Sequence, residues 1–158
     1  MRILLVCLGN ICRSPTAEAI LLQHLKRAGL ADTVTVDSCG TGPWHVGEPP
    51  DPRAQAAAAQ RGIDMSDLRA RQLAVEDFYR FDYLLAMDHE NLAVLQSRRP
   101  TDSEAHIGLF LEMGGMKGKA VPDPYFGGSD GFDGVLDLIE AGADGLIQRL
   151  QARMEMSR

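Results

Sequence analysis

The chain has 158 residues, 45% hydrophobic and 24% charged, with a formal net charge of −6. That is one domain's worth of chain with enough apolar content for a core, which excludes collagen-like, low-complexity and disordered organisation. The acidic balance argues against a nucleic-acid scaffold, whose affinity a basic patch carries, but leaves room for an anionic ligand at a local site. Apolar runs such as Tyr83 to Met87 are too short to cross a bilayer, so no membrane insertion is expected. Met1-Arg2 leads straight into Ile3-Leu4-Leu5-Val6 with no secretory h-region, and three cysteines cannot close a disulfide framework. The expected setting is the cytoplasm, with free thiols.

Short apolar runs alternate with longer helical stretches. Ile3 to Val6 reads as a strand buried on both faces. Ala17, Ile20, Leu21, Leu25 and Ala28 recur at helical spacing, with Gly29 as a stop. Val34 to Ser38 reads as a second strand, and the Ala-rich stretch Arg53 to Arg61 as a helix ending at Gly62. Tyr83 to Met87 is a third strand and Glu90 to Ser97 a helix stopped by Pro100. Ala105 to Leu109 is a fourth strand. Val135 to Leu150 is a long C-terminal helix, weakened by Gly142 and Gly145. The expected fold is α/β: three layers, a twisted parallel sheet of about four strands with helices on both faces, in one domain over residues 1–158. Ligands bind such sheets at the carboxyl ends of the strands, where the long loops Gly40 to Pro52 and Glu112 to Gly131 fall.

The first strand runs into Cys7-Leu8-Gly9-Asn10-Ile11-Cys12-Arg13-Ser14-Pro15. Ser14 reads as an N-cap and Pro15 as the first helical residue, so this loop feeds a helix N-terminus, which attracts anions. Gly9 and Asn10 tolerate positive φ, so successive N–H groups of the loop can converge on an anion. Cys7 sits at the base of that nest, in a field that favours the nucleophilic thiolate, and Arg13 adds a two-pronged donor suited to phosphate. The competing reading of Cys7 is an inert buried thiol.

With these residues the sequence resembles the low-molecular-weight protein tyrosine phosphatases, nearly end to end. The resemblance rests on Val6 to Pro15 and on Asp123-Pro124-Tyr125-Phe126. It is supported by Asp37 to Thr41, Gly47 to Arg53, Arg69 to Gln72 and Met87 to Asn91. It implies that Cys7 attacks phosphorus, that Arg13 and the loop N–H groups of Leu8, Gly9, Asn10, Ile11, Cys12 and Ser14 hold the phosphate, and that Asp123 is general acid and base. Ser14 is expected to donate to the Cys7 thiolate, and Asn10 to hold a left-handed backbone with Ser38 as a partner. Leu68 stands where many relatives carry His, which leaves Asn10 to find another partner or water. Asp88 is read either as a residue supporting the site or as a helix cap.

Trp44 is read as a pocket wall for an aromatic substrate, the alternative being a packing anchor for its loop, with Tyr125 and Phe126 as the opposite wall. The resemblance implies phosphotyrosine proteins as substrates, a tyrosine kinase among the candidates, with inorganic phosphate or a similar oxyanion at the same site. Ile11 fits the tyrosine-directed branch, since a branch acting on phosphoarginine tends to have Thr there. Relatives also shelter the nucleophile as a reversible Cys7–Cys12 disulfide, which implies redox regulation here. Cys39 is read as core packing. No cofactor or metal is expected, because His24, His45, His89 and His106 lack ligand spacing. Lys26-Arg27, Arg69/Arg71 and Arg98-Arg99 read as solvated charges, with Arg69 or Arg71 a possible guide for an acidic substrate. An arsenate reductase-like function is disfavoured because no cysteine follows Cys39. A non-catalytic phosphate-binding member of the fold has no need of Cys7 and Asp123.

Overall fold

The computed structural model describes residues 1–124 and 129–156. In chain order the elements are β1 (Arg2–Cys7), α1 (Arg13–Arg27), β2 (Thr35–Gly40), α2 (Pro52–Ala59), α3 (Asp77–Arg80), β3 (Tyr83–Ala86), α4 (His89–Arg98), β4 (His106–Leu109), α5 (Phe110–Met113) and α6 (Ser129–Met156). The four strands form one parallel sheet in the order β2-β1-β3-β4. The α/β reading therefore holds, with element ends differing by a few residues. The short helices α3 and α5 were not legible, because four residues carry too little periodicity to register.

The alternation of β1 sets the layers. Ile3, Leu5 and Cys7 face a large core shared with Leu21 of α1, Ala58 of α2, Phe110 of α5 and Ile139 of α6. Leu4 and Val6 face the opposite side, where they meet Cys39, Phe78 of α3 and Leu95 of α4. β1 is central and buried on both faces, which is why its sequence is an unbroken apolar run. No helix among the described residues is long and apolar enough to cross a membrane.

Two expectations are corrected at the start of α1. The helix begins at Arg13 with Cys12 in the capping position, and no side chain caps it. Ser14 is thus inside the first turn, its hydroxyl drawn to Cys7 and Asn10 instead. Pro15 remains tolerated, since N–H groups of the first turn have no partner within the helix.

The glycines of α6 have a packing reason. A Cβ on Gly142 would stand 2.8 Å from Leu111 Cδ2, and one on Gly145 would stand 1.9 Å from the Gly114 carbonyl oxygen. The turn after α5 lies directly on the helix, so bare backbone is required at the contact. Replacing Gly145 by Ala brings a helix-propensity gain of about 1 kcal/mol. The clash with a main-chain oxygen, about 1–3 kcal/mol for ordinary overpacking, outweighs it. Gly145→Ala is expected to lower the urea midpoint, whereas an unchanged or higher midpoint would show that α5 is not held against α6.

Candidate active site

β1 ends at the point where chain connections depart in opposite directions, with β2 on one side and β3 on the other. Parallel sheets open a crevice there. Cys7 is the last residue of β1, and the loop that follows curls above it. The cavity at this point has a volume of about 180 Å³. Its floor and sides are Cys7, Leu8, Gly9, Ile11, Cys12 and Arg13, with Trp44 and His45 on one side and Asp123 on another.

The side chains of Asn10 and Ser14 do not line the cavity but support it from behind. Asn10 has φ 58°, the one non-glycine residue with positive φ among the described residues. Gly9 does not have positive φ; a Cβ there would stand 3.0 Å from His45 Cδ2, so its absence leaves room for the His45 ring. The Asn10 side-chain nitrogen donates to Ser14 Oγ (2.8 Å) and to Ser38 Oγ (3.0 Å). Its Oδ1 accepts from the Arg71 backbone N–H at 3.0 Å. Leu68 offers Asn10 no polar group, and the partner of its amide oxygen is the main-chain N–H three residues later. Cys7 Sγ accepts from the Asn10 N–H at 3.2 Å and lies 2.9 Å from Ser14 Oγ.

Arg13 is buried, and its Nη1 donates to Asp88 Oδ2 at 2.6 Å and to the Val121 carbonyl at 3.1 Å. Burial works against its charge, but Asp88, Cys7 and Asp123 prevail and push the guanidinium further toward the charged form. Asp88 makes two kinds of contact. Its Oδ2 pairs with Arg13 while its Oδ1 accepts from the Asn91 N–H at 2.8 Å and caps α4. Arg13 Nη2 stands 3.7 Å from Asp123 Oδ2. Val121 anchors the Asp123 loop twice, through Arg13 and through its own N–H to the Met87 carbonyl at 2.7 Å.

Trp44 is 66% exposed and lies against the cavity. Its ring covers Gly42, where a Cβ would meet Trp44 Cζ3 at 1.9 Å. Tyr125 and Phe126 lie outside the described residues. The three cysteines are free and buried. Burial first, then the charges of Asp51, Cys7 and Asp123, push the Cys12 thiol up to about 12, with Arg53 opposing. Burial also pushes Cys39 well above the ordinary range. Arg71 corrects another expectation: it is not a solvated charge but is paired with Asp37 and Asp77, each at 3.0 Å. Two supporting residues escaped the sequence reading, Arg71 and Glu18. Glu18 lies one turn beyond Ser14 on the same helix face, a spacing that was available as a signal.

Residues 2–156 match the family model described as low molecular weight phosphotyrosine protein phosphatase. A fission yeast (Schizosaccharomyces pombe) protein of that name is 48% identical over 89% of this chain and 91% of its own length. The crystal structure of an Entamoeba histolytica protein tyrosine phosphatase with Hepes in its active site superposes with a TM-score of 0.91. It is 37% identical over 98% of this chain and 99% of that one. A Drosophila arginine phosphatase structure superposes at 0.89, with 35% identity over 95% of this chain and 98% of that one.

Because Asp88 both caps α4 and neutralises Arg13, its variants separate the two roles. Asp88→Asn keeps the cap and loses the charge, whereas Asp88→Ala loses both. The alanine variant should be less stable by about 1 kcal/mol, the worth of a helix cap. Chemical denaturation of the two proteins measures the difference, and equal stabilities would remove the capping role. On the matched residues and the shared fold together, the chain belongs to the low molecular weight phosphotyrosine protein phosphatase family.

Proposed function

We propose that this chain hydrolyses phosphotyrosine monoesters on cytoplasmic proteins, tyrosine kinases among the candidates, through a cysteinyl-phosphate intermediate. The observation that carries the reading is Cys7 Sγ, held by the Asn10 N–H and next to Ser14 Oγ, at the floor of a cavity that Arg13 and Asp123 share. Of the two loop cysteines, Cys12 is pushed up to about 12 by burial and nearby negative charge, which disfavours its thiolate, whereas Cys7 Sγ accepts from the Asn10 N–H and lies beside Ser14 Oγ; Cys7 is the proposed nucleophile.

In the first step Cys7 Sγ attacks phosphorus and the bond to the phenolic oxygen breaks. Asp123 gives its proton to the leaving phenolate. In the second step Asp123 takes a proton from water as that water attacks the cysteinyl phosphate, which releases inorganic phosphate and the Cys7 thiolate. Arg13, fixed by Asp88 and the Val121 carbonyl, is preorganised for charge on the transferring phosphoryl group together with the loop N–H groups from Leu8 to Ser14. Ser14 assists departure of Cys7 by donating to its sulfur. Trp44 gives the mouth an aromatic side that suits a phenyl ring, with Tyr125 and Phe126 proposed opposite.

The likeness to an arginine phosphatase raises phosphoarginine as a second substrate. Ile11, which lines the cavity where the phosphoarginine branch tends to carry Thr, favours phosphotyrosine. Turnover of para-nitrophenyl phosphate, phosphotyrosine peptide and phosphoarginine in chelator tests the reading. The wild type should hydrolyse the first two and leave phosphoarginine intact. Cys7→Ser should abolish turnover, Asp123→Ala should lower kcat by about 10²–10⁴-fold, and Trp44→Ala should raise KM for both aryl substrates. Full activity in Cys7→Ser would overturn the mechanism.

Cys12 neighbours the nucleophile in the cavity wall and is the proposed redox partner. Peroxide would oxidise the Cys7 thiolate to sulfenic acid, and the Cys12 sulfur would then displace water to form a disulfide that thiols reduce. Wild type should regain activity under dithiothreitol after peroxide, and Cys12→Ser should not. Equal recovery in the two would eliminate the shelter.

A further inference from the structure

A second cavity adjoins the one over Cys7, and the reaction as described does not use it. Its volume is about 380 Å³, and the two cavities share Leu8, Arg13 and Asp123. Most of its remaining lining comes from the start of α4, with Asp88, Glu90 and Asn91. Asn91 is 3% exposed, and its Oδ1 is buried with no hydrogen-bond partner among the described residues. A buried acceptor without a donor is destabilising and uncommon in folded proteins. The terminal torsion of an asparagine is broad, so the amide can turn this oxygen toward an occupant of the cavity.

The charges decide what the occupant carries. Three carboxyl groups, those of Asp88, Glu90 and Asp123, line the cavity with one guanidinium, that of Arg13. Arg13 is already turned to Asp88, to the Val121 carbonyl and toward Asp123. A phosphoryl group held on Arg13 would add negative charge at the shared boundary. His89 also lines the cavity, and its Nε2 lies 3.0 Å from the Gly118 carbonyl, an acceptor, so that nitrogen donates to the main chain. The first turn of α4 would attract an anion by itself, but Asp88 caps it and the carboxylates repel one. An unmet acceptor among carboxylates calls for a donor that carries positive charge. Leu8, exposed where the two cavities meet, offers apolar surface to a methylene stem.

We propose that the cavity between Leu8 and the first turn of α4 receives a lysine or arginine side chain of the phosphotyrosine substrate, with Glu90 facing its charge and Asn91 Oδ1 accepting one of its N–H groups. The inference rests on the phosphotyrosine reading and adds to it a preference for substrates with a basic residue close to the phosphotyrosine. Consecutive Cα atoms lie about 3.8 Å apart. A side chain within a few positions of the phosphotyrosine can therefore enter the adjoining cavity while the phosphate is held over Cys7. Glu90 and Asn91 act on the bound substrate and not on the reacting atoms, so their effect belongs in KM and leaves kcat unchanged. para-Nitrophenyl phosphate has no neighbouring residue and is indifferent to them.

The test uses phosphotyrosine peptides with alanine flanks. One flanking position at a time, up to three on either side, is changed to lysine or arginine, or to the uncharged norleucine or citrulline of matching shape. At one or more positions the wild type should have a KM about fivefold lower for the cation than for its uncharged counterpart, with kcat within twofold. Glu90→Gln and Asn91→Leu should each bring that ratio below twofold, with para-nitrophenyl phosphate turnover within twofold of wild type. Glu104→Gln removes the same charge before β4, at the opposite end of the sheet, and should keep the preference. No preference at any position, a preference that Glu90→Gln or a folded Asn91→Leu retains, or one that Glu104→Gln also loses would each overturn the proposal. The glutamate variants decide it even where the leucine variant does not fold. Binding of the lysine and norleucine phosphopeptides to Cys7→Ser, measured by calorimetry, reads the cavity without turnover. A Kd ratio of about fivefold there, with a wild type inactive on every phosphotyrosine substrate, would instead overturn the phosphatase reading and keep the cavity's preference.

Discussion

Asn10 is the residue on which the loop depends. Its left-handed backbone costs about 1–2 kcal/mol for a side-chain-bearing residue. Its side chain makes three hydrogen bonds, two of them buried, to Ser14 and Ser38, and a part-buried one from the Arg71 N–H. At about 0.5–1.5 kcal/mol net each, these offset the cost. The bonds reach α1, β2 and the segment before α3, so the loop's shape is held by three separate parts of the chain. The same turn of backbone aims the Asn10 N–H at Cys7 Sγ. Loop shape and nucleophile support are thus one arrangement. Glycine here would adopt the φ value but supply none of the three bonds.

Arg13 connects that loop to the opposite side of the sheet. A buried guanidinium is tolerable when its charge is paired and its donors are used. Asp88 supplies the pairing, and because Asp88 also caps α4, the position of the charge is tied to the start of a helix. The Val121 carbonyl takes a second donor, and Val121 is bound in turn to the end of β3. The loop carrying Asp123 is therefore referenced to the same two points as the arginine. Asp123 and Arg13 can keep a common frame in this way although Asp123 lies 110 positions after Arg13 in the chain; what joins them is packing at the end of the sheet.

Much of this was legible in the chain itself. The unbroken run Ile3 to Val6 marks a strand with no solvent face, and a strand buried on both sides belongs at the centre of a parallel sheet. Cys7, Arg13 and Ser14 are close in sequence, so one turn brings them together and local chemistry suffices to read them. Glu18 and Arg71 were harder. Glu18 was not singled out and Arg71 reads as a solvated charge, yet each is defined by partners on distant segments, Ser38 for the first and Asp37 and Asp77 for the second. Gly142 and Gly145 read as defects in a helix until the α5 turn is seen to lie on them.

Hydrophobic period and short-range spacing are properties of neighbouring residues, so the alternating architecture and the loop after β1, with Cys7 at its base and Arg13 beyond it, are readable in the chain alone. It took the folded chain to show which donor completes Asn10, that Asp88 serves a helix and an arginine at once, and that the carboxyl group of Glu18 lies behind the Cys7 loop. Those facts depend on hydrogen-bond geometry between segments tens of residues apart, and a one-dimensional pattern does not contain that geometry.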